Sequence, residues 1–315
     1  MKGVLVLIQD YLFPTSVEEA LKILVKDPEK SKVIGGGTSF YIDGKELAKD
    51  ISYFIDLGQI KELGEIYEED GFIVMGANTT LTQCSKNPLI KENYPALVKA
   101  SANLGSTQIR NMATVVGNIV NGKPFSDLAT VLMALDAVFT IEDQDGSRET
   151  KVKDMYHKLG ISALKATELV TKIKIPKRVQ GEGSAFQRLE IREGLSFPVI
   201  NVAAKLVVDK NIIKDAVVTA SPLAPGPKVI EAIGEFLIGK EATDDNFVEA
   251  GLLATKSIKF HTSPLNCGAI AGVTCKFENC HYCLNPVPST AQYRHEVLPV
   301  LVKRCLSLAL EEIND

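Results

Sequence analysis

Four cysteines crowd one stretch of the 315-residue chain with the spacing Cys267-x7-Cys275-x4-Cys280-x2-Cys283, and only Cys84 and Cys305 lie elsewhere. Four thiolates on a loop make a tetrahedral sulfur site, which suits zinc or an iron–sulfur cluster. The run C-x4-C-x2-C matches the first three ligands of a plant-type cluster. Cys305 is a weaker fourth ligand than Cys267, because it shares the apolar side of a helix with Leu301 and Leu308. Gathered thiols argue for metal rather than disulfides. Three readings stay open: an iron–sulfur cluster, four-iron in preference; structural zinc; or thiols without a ligand. His281, inside the loop, reads first as a solvent-facing residue and only second as a ligand.

A second kind of chemistry lies in two glycine-bearing stretches. Gly35-Gly36-Gly37-Thr38-Ser39 directly follows a short apolar run. Glycines there let the backbone take positive φ and approach a ligand, and closely spaced N–H groups form an anion nest. The pattern is neither the G-x-G-x-x-G fingerprint nor a P-loop. Farther on, residues 108–127 mix amides with glycine, from Gln108 and Arg110-Asn111 through Ala113-Thr114 and Gly117-Asn118 to Ser126-Asp127. Covalent nucleophilic catalysis has no support, since a glycine-flanked serine elbow and a serine, histidine and acid set are both missing. Arg110 and Lys123 offer cations that a phosphate or a partner would meet, although isolated charges are usually solvated. Cys84, beside Leu81, reads as a packed small apolar residue.

Several elements must position these stretches. Val17, Ala20, Leu21 and Leu24 predict a helix over 16–25, with Ser16 and Glu19 spaced as a capping box. Strands are predicted at 32–34, 51–56, 72–76, 138–142 and 169–175, and helices at 94–104 and 128–135, the latter behind a Ser126 or Asp127 cap. Residues 108–127 hold neither period for long. The polar, glycine-containing run after Pro176 marks a domain boundary. Beyond it come strands at 184–188, 199–208 and 212–219, and helices near 229–237 and 293–311, which is a small α+β order.

Composition removes several classes of function. With 45% hydrophobic and 23% charged residues the chain is ordinarily globular, and its length favours two domains. Lys plus Arg number 35 against 39 Asp plus Glu, a net charge of -4, which speaks against nucleic acid as a partner. The apolar run at 4–8 is far shorter than the ~20 residues of a membrane helix, so a soluble cytoplasmic protein without a membrane partner is expected. Four histidines make a multi-histidine metal centre improbable.

The order helix, Gly35-Gly36-Gly37-Thr38, Gln108 to Asn118, Ser126-Asp127, with Ala185-Phe186-Gln187-Arg188 and Tyr293-Arg294 in the carboxy-terminal part, resembles the flavin-binding medium subunit of molybdenum hydroxylases of the xanthine dehydrogenase and carbon monoxide dehydrogenase type. The likeness covers nearly the whole chain. It implies an α+β fold: a PCMH-type FAD-binding domain of two α+β subdomains over 1–177, then a smaller α+β C-terminal domain, an antiparallel sheet with helices, over 183–315 with the cysteine-rich loop 267–283.

The resemblance also implies residue roles for the cofactor FAD. Val33, Ile34, Gly35, Gly36, Gly37, Thr38, Ser39 and Phe40 would wrap the pyrophosphate, and Ala113, Thr114, Gly117 and Asn118 would form the second wall. Asp127 would accept from a cofactor hydroxyl, Val170 would line the pocket, and Gln187 would stand where relatives often carry a cation. Val116, Ser39 and Gln187 depart from the usual glycine, aspartate and lysine, which would re-aim the ring end of the flavin and alter its potential. An ordinary member of the family has no cluster at a loop like 267–283, so that site would be an independent addition.

The implied function is that of an electron-transfer subunit. It would take electrons from a molybdopterin-binding large subunit through a 2Fe-2S small subunit and pass them to NAD or another acceptor. Two alternatives are a stand-alone flavin reductase of the same fold and a flavin-free scaffold subunit with a zinc loop.

Overall fold

The computed structural model describes residues 9–39, 51–158, 161–223, 226–258, 289 and 291–314. Phe40 and the four loop cysteines lie outside the described residues.

The chain opens with strand β1 (Asp10–Leu12), helix α1 (Val17–Leu24) and strand β2 (Ser31–Ile34), followed by β3 (Tyr53–Asp56). These strands form a parallel sheet in the order β1-β3-β2, with Asp10 opposite Tyr53 and Ile34 opposite Asp56. Ser16 caps α1, its hydroxyl accepting the Glu19 N–H, and Ala20, Leu21 and Leu24 are buried. The predicted helix therefore forms in nearly the expected place.

Next come β4 (Ile66–Glu69) and β5 (Phe72–Gly76), and then a run of short helices: α2 (Leu81–Lys86), α3 (Pro88–Asn93), α4 (Pro95–Asn103), α5 (Thr107–Met112), α6 (Val115–Val120) and α7 (Asp127–Ala134). The stretch 108–127, read as aperiodic, thus contains α5 and α6. Each has only 6 residues, too few turns to display a 3.6-residue period, and each is set by a hydroxyl cap, Ser106 and Thr114 respectively. Strands β6 (Val138–Glu142), β7 (Ser147–Lys151) and β10 (Leu169–Pro176) join β4 and β5 in an antiparallel sheet of order β4-β5-β10-β6-β7, while β8 (Tyr156–Lys158) pairs with β9 (Ile161–Ser162). One continuous hydrophobic core, from Ala20 to Ile175, unites these elements.

A second antiparallel sheet, β11 (Glu182–Glu190), β12 (Pro198–Asp209), β13 (Ile212–Ser221) and β14 (Lys228–Val229), carries helices α8 (Glu231–Leu237), α9 (Asp244–Ser257) and α10 (Ala291–Asn314). Its own core includes Val202, Ala204, Leu206, Val218, Leu298 and Cys305. Cys305 is fully buried with its thiol against the Ala185 and Val202 carbonyls, and Cys84 is equally buried beside the Ser101 hydroxyl.

The sheet is covered on both faces, and the two-residue alternation of its strands sorts side chains between them. On β12, Val202 and Ala204 face the second core, whereas Asn201 and Ala203 face the first. On β11, Phe186 and Arg188 turn toward the first core and Ala185 toward the second. That sorting decides which residues reach the cleft between the two regions.

Candidate cofactor-binding cleft

A cleft of about 490 Å³ runs between the glycine-bearing stretches and the second sheet. This lies inside the roughly 300 to 1,000 Å³ of small-molecule and cofactor sites.

One wall is main chain. After β2 the backbone turns through Gly35 and Gly36, takes φ +67° at Gly37, and enters helical conformation at Thr38. A Cβ on Gly36 would lie 1.8 Å from the Met112 carbonyl oxygen, and one on Gly35 3.1 Å from Thr114 Oγ1. The two stretches, remote in sequence, therefore touch backbone to backbone at a distance only glycine permits. Among the described residues, the N–H groups of Gly36 and Gly37 meet no acceptor.

The second stretch is pinned from behind. Leu81 N–H donates to Ala113 O at 2.9 Å and Val115 N–H to Thr79 O at 3.0 Å, forming a bridge between Thr80 and Thr114. Thr114 Oγ1 caps α6 by accepting the Gly117 N–H at 3.0 Å, and a Cβ on Gly117 would lie 2.7 Å from that oxygen. A side chain at 117 would crowd that cap oxygen. Asn118 Oδ1 accepts the Ser126 hydroxyl at 2.6 Å, and Ser126 Oγ accepts the Ala129 N–H to cap α7.

The opposite wall is side chain. Asp127 Oδ2 stands 3.1 Å from an Arg188 guanidinium nitrogen, and its Oδ1 accepts from Asn201 Nδ2. Asp127 and Arg188 are only 4% and 8% exposed, so this is a desolvated ion pair reaching from α7 to β11. Burial pushes the Asp127 carboxyl up to about 6, against the Arg188 charge and the Asn201 hydrogen bond, which pull it down. Arg188 also meets Glu190 at 3.3 Å and donates to the Ser196 carbonyl, yet its Nε has no acceptor. A tilted aromatic pair, Phe125 and Phe197 with centroids 4.6 Å apart, stands at the same side of the cleft.

Of the expected cofactor-binding residues, Val33 through Ser39, Ala113, Thr114, Gly117, Asn118 and Asp127 all line the cleft. Val170 and Gln187 do not. Val170 is 2% exposed and packs in the first core on β10. Gln187 is turned away by the strand alternation that brings its neighbour Arg188 into the cleft. Sequence reasoning also missed Lys32 and the hairpin residues Leu195, Ser196 and Phe197, which line the cleft with Lys123. Only the alternation of β11 could have pointed to Arg188. Arg110 does not line the cleft; it braces the turn before α5 by donating to Leu104 O and Gly105 O at 3.2 and 2.8 Å. Among the described residues no cluster of His, Cys, Asp and Glu could hold a metal.

Residues 7–178 match the family model described as the FAD binding domain in molybdopterin dehydrogenase. The nicotinate dehydrogenase FAD-subunit of Eubacterium barkeri is 32% identical over 205 residues, covering 64% of this chain and 69% of that relative. Subunit alpha of the 6-hydroxypseudooxynicotine dehydrogenase complex of Paenarthrobacter nicotinovorans is 27% identical over 96% of this chain and 94% of its own. Among solved structures, reconstituted CO dehydrogenase from Oligotropha carboxidovorans superposes with a TM-score of 0.84 at 24% identity, over 96% of this chain and 98% of that one.

Proposed function

The chain belongs to the family of FAD-binding molybdopterin dehydrogenase subunits, which makes it an oxidoreductase subunit with FAD as cofactor, and from that premise we propose that it relays electrons within a multi-subunit complex. In this reading a molybdopterin-binding large subunit and a 2Fe-2S small subunit supply the electrons, and NAD or another acceptor removes them. The medium-chain names of its relatives support this assembly.

The residues present fit the cofactor. The contact of Gly36 with the Met112 carbonyl carries the reading, because it joins the two glycine-bearing stretches, backbone to backbone, into one wall of the cleft. The Gly36 and Gly37 N–H groups hold the diphosphate, with Thr38 donating its hydroxyl and Lys32 and Lys123 supplying positive charge. Ala113, Thr114, Gly117 and Asn118 form the facing wall. Asp127 accepts a cofactor hydroxyl, and Arg188 places a permanent positive charge at the far end, where Phe125 and Phe197 exclude water. Bound FAD supplies the chemistry of joining one-electron carriers to a two-electron acceptor. The polypeptide supplies position, charge and dryness.

Anaerobic mixing of the FAD-loaded chain with NADH tests the acceptor. Bleaching of the flavin absorption supports NAD; an unchanged spectrum that dithionite then bleaches rejects NAD in favour of another acceptor. Co-purification of the chain from its source with an iron–sulfur chain and a molybdopterin chain tests the assembly, and its isolation as a homogeneous single-chain flavoprotein would reject it.

A further inference from the structure

Asn201 does not line the cleft, yet it is fully buried and both ends of its amide are engaged. Its Nδ2 donates to Asp127 Oδ1, and its Oδ1 accepts from the Thr130 hydroxyl at 3.1 Å. Since a carboxylate only accepts and the hydroxyl can donate, this orientation of the amide is self-consistent. Thr130 lies one turn along α7 from Ser126 and also approaches the Ser126 carbonyl at 2.9 Å, so its one proton serves two acceptors. Its own carbonyl accepts the Thr219 hydroxyl from β13 at 2.6 Å. A buried amide costs folding free energy unless paired, and the neighbouring interface residues Phe186 and Ala203 show that apolar side chains fill the same face.

We propose that Asn201 is a positioning residue for the cofactor: from the second region it fixes the Asp127 carboxylate of the first, ionised and aimed so that it accepts a hydroxyl of bound FAD. This rests on the FAD cleft proposed above. Asp127 is held on both oxygens from the second sheet, Oδ2 by Arg188 of β11 and Oδ1 by Asn201 of β12. The groups facing it are Arg188 and Asn201, which favour its ionised form, and Glu190, which opposes it. Lys32 and Lys123 line the same cleft from β2 and from the loop before α7. The other elements packed on α7, namely α4, α6, β13, β14 and the 3-10 turn Val152–Met155 with its Lys153 and Asp154, bring no titratable group that shifts it. Removing the Asn201 donor withdraws one of the two supports, and the ionised carboxylate then forms only at higher pH.

The test is FAD affinity of the full chain as a function of pH, followed by flavin fluorescence, for wild type, Asn201→Leu, Asn201→Asp and Thr130→Val. Asparagine-to-leucine replacement is expected to move the midpoint of the affinity profile upward by about one pH unit, the worth of one hydrogen bond to a charged group. Well above that midpoint its affinity returns to the wild-type level. Asn201→Asp sets a like charge against Asp127 and moves the midpoint the same way, whereas Thr130→Val, which leaves the Asp127 donor in place, moves it less. A loss of affinity by the same factor at every pH, or no loss, would overturn the proposal and leave Asn201 as packing. Should the leucine variant fail to fold, an unmoved midpoint in Asn201→Asp overturns it equally. NMR of the Asp127 carboxyl carbon in the cofactor-free chain separates the two layers. A titration that moves in the variants while wild type takes up no FAD overturns the cleft reading and, with it, any positioning role, but keeps the Asn201–Asp127 coupling.

Discussion

The two walls of the cleft are made of different material. The wall of Gly35 to Ser39 against Met112 to Asn118 is main chain and capping hydroxyls, with nothing in its contact that titrates. The wall of Asp127, Arg188 and Phe197, backed by Asn201, is side chain, borrowed largely from a second sheet, and its central group is buried with its carboxyl raised to about 6. The first kind of wall suits a constant feature such as a diphosphate. The second suits a feature to be tuned, since charge and hydrogen bonds beside a flavin set its potential. Each wall should therefore fail in its own way.

The largest effect is expected from Gly36→Ala. Its methyl group enters the space of the Met112 carbonyl, so the two stretches must part. FAD affinity should fall on the order of 100-fold, by the same factor at every pH, because overpacking costs ~1 to 3 kcal/mol. Fluorescence titration at two pH values checks both statements, and a pH-dependent loss would erase the distinction between the walls.

Arg188→Met comes next. Losing charge-assisted hydrogen bonds worth ~1.5 to 3 kcal/mol should weaken FAD about tenfold and lower the flavin potential, measured by equilibration with reference dyes. A weakened but unshifted potential would place the guanidinium away from the ring.

Asp127 yields a sharper sign. Its carboxyl is raised to about 6, so the folded chain takes up that proton more readily than the unfolded chain. The resulting stability is full below the ordinary carboxylate range and is lost as pH rises through about 6. Cofactor affinity runs the other way, because the ionised form accepts the FAD hydroxyl, and it should rise roughly fivefold over the same range. Urea midpoints and FAD affinities measured together from pH 4 to 8 should cross; Asp127→Asn should flatten both. Parallel trends would remove Asp127 from cofactor binding. The smallest effect belongs to Phe197→Ala, which removes the Phe197 ring from its contact with Phe125 and should cost about threefold in FAD affinity.

Legibility in the sequence followed the same division. The main-chain wall was readable because glycine is the residue type that marks close backbone approach, and Gly35 to Gly37 and Gly117 could be named before any fold was known. Asp127 was readable through the family resemblance. Arg188 was not, because Gln187 and Arg188 are adjacent in the chain and only the face of β11 separates them; Lys32 and Phe197 reach the cleft by tertiary placement alone. Val170 fell to the core because β10 is the central strand of its sheet. Helices α5 and α6 escaped notice because hydroxyl caps, rather than apolar periodicity, define them. The relatives that match the chain over nearly its full length are named as subunits of complexes, which speaks for a subunit rather than a stand-alone reductase. The loop of Cys267, Cys275, Cys280 and Cys283 lies outside the described residues, and its iron–sulfur or zinc reading is a separate proposal that iron, sulfide and zinc assays decide.

Main-chain capture of the diphosphate has one most direct test: parallel titration of the wild-type chain and Gly36→Ala with FAD and with riboflavin, which lacks the phosphates. Wild type should bind FAD far more tightly than riboflavin, and the variant should lose that preference while keeping its riboflavin affinity. Equal affinity of the wild-type chain for the two ligands, or a preference that survives in the variant, would contradict it.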